Sequence, residues 1–189
     1  MNKGRIDKIR HLENESDILK IIEPSIVKLT DRFGLKINEV AIVVDPNKQK
    51  LHLVRGNQIL KTFQISTASK GLGNIMDSEQ TPWGTHRIGE KQGLQARVGE
   101  NVVHNGQIKL GMTTRILTLL GQEASINQGG RVDSAARGIY IHGTPREDQI
   151  GRPASHGCIR MKNSEVIELC DLVPNGTLVE ILELSNNKT

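Results

Sequence analysis

Apolar residues recur at helical spacing early in the chain: Ile18, Ile21, Ile22, Ile26 and Leu29, with Glu and Lys between them. The pattern predicts helix up to about Phe33, one face packed on the main domain, with Gly34 as its stop. Pro24 falls inside the run and predicts a kink or two short helices. From Glu39 the period changes. Val40, Ala41, Ile42, Val43 and Val44 form a β-rich run that ends at the turn signal Asp45-Pro46-Asn47. Residues 51–54 and 59–66 flank Arg55-Gly56-Asn57 as the two arms of a hairpin. These connections are too short for crossovers, so the strands pair antiparallel, as a meander.

Residues 69–137 are rich in Gly, Asn and Gln and read as loops with short strands at 85–89, 101–104 and 115–120. Further on, residues 164–172 have the pattern of a short amphipathic helix, capped by Asn163 or Ser164. Pro174-Asn175-Gly176 then turns the chain into a last strand over 177–182. Repeats and low-complexity tracts are absent. The expectation is a mostly β domain over residues 38–183, an N-terminal helical segment over 1–37 and a flexible tail over 184–189.

Composition narrows the function classes. At 189 residues the chain fits one domain with a short appendage, large enough for a core without disulfide staples. Aromatic residues are only 2%, so Ile, Leu and Val must build that core, and stacking platforms for single-stranded nucleic acid are disfavoured. The net charge of +4 is spread through interleaved acids and bases, the mark of a mixed solvated surface and not of a nucleic-acid or membrane patch. Residues 1–12 are charged, and the apolar run at 18–22 is broken by Lys20, which predicts neither signal peptide nor membrane span. With Met1 as the native start the expected location is cytoplasmic; behind an omitted export signal it is the periplasm or cell wall. Cys170 sits in the apolar helical stretch and reads as core, and two cysteines imply no disulfide framework.

The chemistry gathers in two segments, Gly138-Ile139-Tyr140-Ile141-His142-Gly143-Thr144 and Ser155-His156-Gly157-Cys158-Ile159-Arg160-Met161. A catalytic thiol needs a base or a positive neighbour, because the thiolate is the nucleophile. His142 lies on a β-rich run that would hold its ring, and the loop from Pro145 to Pro153 is long enough to return Cys158 beside it. Gly157 allows a tight turn that exposes amide N–H groups near the sulfur, an oxyanion hole in prospect. His142, His156 and Cys158 could alternatively ligate zinc, although the spacing fits no common zinc pattern and a fourth ligand is not evident. A papain-like arrangement is disfavoured, since there the nucleophile precedes its base.

His142-Gly143 followed by Ser155-His156-Gly157-Cys158-Ile159-Arg160 resembles the signature of L,D-transpeptidase (YkuD) catalytic domains. Supporting pieces agree in order: the hairpin ending at Ile65-Ser66-Thr67, Thr81-Pro82-Trp83-Gly84, and the closing helix with Val173-Pro174-Asn175-Gly176-Thr177. The resemblance spans roughly residues 38 to 183 and implies a β-sandwich or open barrel. It implies Cys158 as nucleophile, His142 as general base and the Gly143 carbonyl as orienter of the ring. His156, Gly157 and Cys158 would supply oxyanion-hole amides. Arg160 would brace the loop or meet a substrate carboxylate, Ser155 would shape the loop, and Tyr140 would contact substrate or brace the loop. His86 stands where the family usually has an aromatic. No cofactor or metal is implied. The expected substrate is a peptidoglycan stem peptide or free muropeptide, cleaved at the L-centre carbonyl of the diamino acid with release of the terminal D-amino acid. Water is slightly favoured as acceptor (L,D-carboxypeptidase) over an amine (transpeptidase). A non-catalytic muropeptide-binding module is the reading from another class.

Overall fold

The computed structural model describes residues 15–104 and 106–183. The expectations for residues 1–14 and for the tail over 184–189 lie outside the described residues. Helix α1 (Glu15–Phe33) is followed by strands β1 (Val40–Asp45), β2 (Lys50–Arg55), β3 (Gln58–Ser66), β4 (Gly84–Gln92), β5 (Asn101–His104), β6 (Gln107–Gly121), β7 (Tyr140–Gly143) and β8 (Ile159–Met161). Helix α2 (Asn163–Leu172) and strand β9 (Leu178–Ile181) complete the order.

The strands run β4-β9-β1-β2-β3-β8-β7-β6-β5, and β4 also pairs with β6. That extra pairing closes eight strands into a barrel and leaves β5 as an outer hairpin arm on β6. The opening meander is as the sequence predicts, with β1–β2 and β2–β3 antiparallel. Two pairings are parallel, β1 with β9 and β7 with β8. The barrel is filled by aliphatic residues such as Ile42, Leu51, Leu53, Ile65, Leu117, Leu119, Ile141, Ile159 and Ile181, with Phe63 the one aromatic among its buried core side chains.

Helix α1 lays Ile22, Ile26 and Leu29 on Ala41, Val43, Val54 and Leu178, a second core on the outside of the barrel. It is a single helix through Pro24 and not the two short helices that were one of the expected alternatives. Pro24 and the residue four before it, Lys20, are both exposed, so the carbonyl that loses its partner can be hydrated and the ring meets no packed neighbour. The stop is where Gly34 predicts it: its φ is +73°, and its N–H donates to Thr30 O at 3.2 Å. Lys28 reaches from α1 into the barrel wall, donating to Glu123 Oε2 at 3.0 Å and Glu180 Oε1 at 2.8 Å. Both carboxylates are buried and share Thr85, through its N–H to Glu123 at 2.7 Å and its hydroxyl to Glu180 at 2.5 Å.

The cap of α2 differs from expectation. Lys162 is the cap residue and makes no side-chain capping bond. The Glu147 carboxylate takes that place, accepting from the Asn163 N–H at 2.8 Å and its Nδ2 at 2.7 Å, where a negative charge also suits the helix dipole. No described helix is long and apolar enough to cross a membrane.

Candidate active site

Strand alternation builds the site. Ile141, Ile159 and Met161 point into the core, so the residues between them project to the other face. His142 and Arg160 are register partners on adjacent strands, and Cys158 shares the parity of Arg160 at the entry to β8. Together with Ser155, His156 and Gly138, these side chains line a cleft of about 310 Å³, roofed in part by Leu110 and Met112 of β6. A larger cleft of about 630 Å³, between the end of α1 and the α2–β9 turn, contains no cysteine or histidine.

His142 is buried, and its Nδ1 lies 2.8 Å from the Gly143 carbonyl oxygen. A carbonyl can only accept, so a neutral ring carries its proton on Nδ1 and presents Nε2 as a base. Burial lowers the His142 pKa to about 4, against the pull of the Gly143 carbonyl and with the Arg160 charge adding to the drop. Gly143 itself is required by packing: a Cβ there would lie 2.5 Å from Thr113 O and 2.6 Å from Asn163 Oδ1. Asn163 ties this corner together, accepting from the hydroxyls of Thr113 and Thr114 at 2.6 Å each and donating to Thr144 O at 2.9 Å.

Cys158 is half-buried, its thiol 3.4 Å from the Gly138 carbonyl oxygen. Burial raises its pKa to about 11, opposed by the Tyr140 backbone N–H and the charges of Arg160 and Arg137. At neutral pH the resting pair is therefore neutral thiol and neutral imidazole.

The loop before Cys158 is held on several sides. Ser155 donates its hydroxyl to Cys158 O at 2.5 Å and accepts from the Gly157 N–H at 3.2 Å. The Ala154 and Ser155 amides both donate to Thr67 O, at 2.8 and 2.9 Å. Gly157 has φ +129°, and a Cβ would stand 3.2 Å from Ile139 Cδ1. Arg160 Nη1 donates to Gln149 Oε1 at 3.0 Å and Ala154 O at 3.1 Å, so it contacts the loop that returns the cysteine. His156 is exposed; Tyr140 is half-buried at the start of β7. Among the described residues no group of three or more His, Cys, Asp or Glu is placed to share a metal ion.

Two contributors, Thr81 and Arg137, were not singled out in the sequence as parts of the site, and Gly138 stood there only as the head of the His142 segment. Thr81, seen only as part of a turn motif, donates its hydroxyl to Gly157 O at 2.9 Å and accepts from the Ala68 N–H at 2.9 Å, clamping the loop from below. Gly138 supplies the carbonyl beside the thiol, and Arg137 adds a charge near the sulfur. A lone Arg far upstream of the cysteine carries no signal that single-sequence reading could use. His86, standing where an aromatic is usual, is fully buried, with Nδ1 at 3.0 Å from Gly84 O and Nε2 at 2.9 Å from Ser134 Oγ.

Burial lowers His86 from 6.5 to about 4, as it does His142. Both rings bind protons less well folded than unfolded. Their contribution to stability is fully present above pH 6.5 and is lost as pH falls through about 4, on the order of 3 kcal/mol for each ring. Denaturant unfolding at pH 7 and pH 4.5 is expected to show this drop, and His86→Gln is expected to shrink it. An equal drop in the variant would contradict the assignment.

Fold and site together define a β-barrel domain with a cysteine–histidine cleft on its outer face. The L,D-transpeptidase catalytic domain (YkuD) family model matches residues 39–181, and the chain belongs to that family. The YkuD protein of Bacillus subtilis is 58% identical over 41 residues, 22% of this chain and 25% of that protein. YqjB of the same organism is 52% identical over 46 residues, 24% of this chain and 26% of that protein. The matched segment thus spans about a quarter of the length of these curated relatives. Among solved structures, an L,D-transpeptidase from Mycobacterium smegmatis aligns with a TM-score of 0.51 at 16% identity, covering 77% of this chain and 59% of that one. Bd1075 of Bdellovibrio bacteriovorus aligns at 0.53 with 19% identity, covering 77% and 48%. At such identities the likeness concerns the fold.

Proposed function

We propose that this domain is a cysteine-dependent acyltransferase acting on peptidoglycan stem peptides. The observation that carries the reading is one cleft lined by both Cys158 and His142, beside a loop of amides fixed by Ser155 and Thr81. Family membership supports the substrate class. The Cys158 proton passes to His142 Nε2 as sulfur adds to the L-centre carbonyl of the diamino acid. The Gly157 N–H is already given to Ser155, which favours the amides of His156 and Cys158 as the oxyanion donors. The tetrahedral adduct collapses as imidazolium protonates the leaving amine of the terminal D-amino acid. The thioester then meets water, deprotonated by the same Nε2, and sulfur leaves to recover its proton.

Water as acceptor is the form we put first, because a cleft of about 310 Å³ is at the small end for binding sites and a second stem must find room beside the first. Arg160 braces the return loop in this scheme and Tyr140 presents its backbone N–H to the sulfur. The test is mass spectrometry of products from a purified tetrapeptide muropeptide, with and without an amine acceptor. Tripeptide and free D-amino acid in both conditions are expected. A dimer or an exchanged D-amino acid would replace hydrolysis by transfer, and an unchanged tetrapeptide would contradict the proposal, in favour of a binding module.

A further inference from the structure

Arg137 precedes Gly138, which lines the cleft, and reaches across to the 78–81 segment. Its Nη2 donates to Gln80 O at 2.7 Å and to Ser78 Oγ at 3.3 Å. Those partners are neutral, and among the described residues no carboxylate pairs with the guanidinium. Nη1 is buried with no hydrogen-bond partner. A half-buried cation left unneutralised is costly, and such a charge is normally kept only where an anion can form beside it.

The surrounding segments lead from Arg137 to Cys158. Gly138, the next residue, supplies the carbonyl that receives the Cys158 thiol. The Gln80 carbonyl held by Arg137 is also the atom 3.4 Å from where a Gly157 side chain would begin, so the guanidinium is tied to the segment against which the cysteine loop rests. Thr81, one residue on, clamps Gly157 O. We propose that Arg137 is a positioning residue for the reactive sulfur: it pins the 78–81 segment beneath the cysteine loop and holds a positive charge that favours the Cys158 thiolate as the proton leaves. The inference rests on Cys158 being the nucleophile.

Ionisation of the neighbours agrees in direction. Arg137 and Arg160 both pull the Cys158 pKa down against burial, and a Cys158 thiolate would in turn raise both arginines. The other charged or titratable groups around them are Tyr140, which responds to the sulfur, His142 in the same cleft, exposed His156, buried His86, which responds to Arg137, Arg146, which acts on Arg160, and Glu79, between the two residues that Arg137 holds. Glu79 is the one carboxylate among these, and it pairs with Lys70 and not with the arginine.

The test is the pH dependence of Cys158 alkylation by iodoacetamide, followed on the peptide containing Cys158, in wild type, Arg137→Gln, Arg137→Met and Arg137→Lys. Below the thiol midpoint the rate follows the thiolate fraction. The two neutral variants are expected to react about tenfold more slowly at each pH from 8 to 10, equivalent to a midpoint about one pH unit higher. Lysine is expected to restore most of the rate. A neutral variant that folds and reacts within about twofold of wild type overturns the proposal. So does a lysine variant as slow as the neutral ones, which would leave only structural bracing. Should the neutral variants not fold, the native protein still answers. The ¹⁵Nε resonance of Arg137 is expected to move as the sulfur titrates and to stay still in Cys158→Ala; no movement in either would overturn the claim. Alkylation needs no turnover, so a charge effect without D-amino acid release would sink the proposed function and leave this inference standing.

Discussion

Cys158→Ala is expected to abolish release of the terminal D-amino acid from a tetrapeptide stem while the barrel stays folded. The fold should tolerate the change because the lost sulfur is half-buried and makes only weak polar contacts, to Gly138 O at 3.4 Å and to the Tyr140 N–H. A stability cost of about 1 kcal/mol is the ordinary scale for such a substitution. His142→Ala is expected to slow the same reaction by roughly 10²–10⁴, the usual worth of a positioned general base. The two losses should not multiply, since sulfur and imidazole act as one unit. Turnover retained by the alanine variant at 158 would remove the sulfur from the mechanism, and less than a tenfold loss at 142 would remove the ring.

The second large effect is on stability. Lys28→Met is expected to cost about 3–5 kcal/mol at pH 7, because it removes the cation shared by two carboxylates buried in the barrel wall and leaves Glu180 with only the Thr85 hydroxyl. In the native protein burial raises the Glu123 pKa, but the Thr85 N–H, Lys28 and Arg32 outweigh it and hold the carboxyl low. Methionine keeps most of the lysine's packing volume, so the loss reports charge. Without Lys28 the Glu123 carboxyl loses its main cation, so its burial would favour protonation in the folded state. Stability of the variant would then fall as pH rises through the raised value of Glu123, and its deficit would be largest near neutrality and smaller near pH 5. Thermal unfolding, at roughly 2–4 °C per kcal/mol for a domain of this size, measures both magnitude and pH trend. A deficit independent of pH would mean lost packing and not an uncompensated charge pair.

What the sequence made legible follows from which forces are local. The stop at Gly34, the opening meander and the strand at 101–104 are written in short-range patterns and stand as predicted. Strands β4 and β6 are longer than their patterns suggested, running over Gly84–Gln92 and Gln107–Gly121. The polar end of β4, Glu90-Lys91-Gln92, has little intrinsic strand character; β4 is held by pairing with β6 and β9, and β6 by pairing with β4, β5 and β7. Closure of the barrel by β4 and β6 is a contact between distant segments that no local period announces. Pro24 shows the converse, a strong local breaker accommodated because its missing hydrogen bond faces water.

The site divides along the same line. Cys158, His142 and Gly143 stand in recognisable segments, and strand parity alone puts His142 and Arg160 on one face. The supports are tertiary: Glu147 at the start of α2, Asn163 beneath Gly143, Thr81 under Gly157. Each is a polar side chain satisfied by a backbone group far along the chain, and that pairing exists only once the barrel has closed.

Acid-quenched intact-protein mass spectrometry during turnover of a tetrapeptide stem, followed by peptide mapping, puts the thiol and its base to the most direct test. The expected result is a thioester adduct of tripeptide mass on the peptide containing Cys158, absent from Cys158→Ala and strongly reduced in His142→Ala. Turnover with no adduct, or an adduct placed on Cys170, would contradict the account.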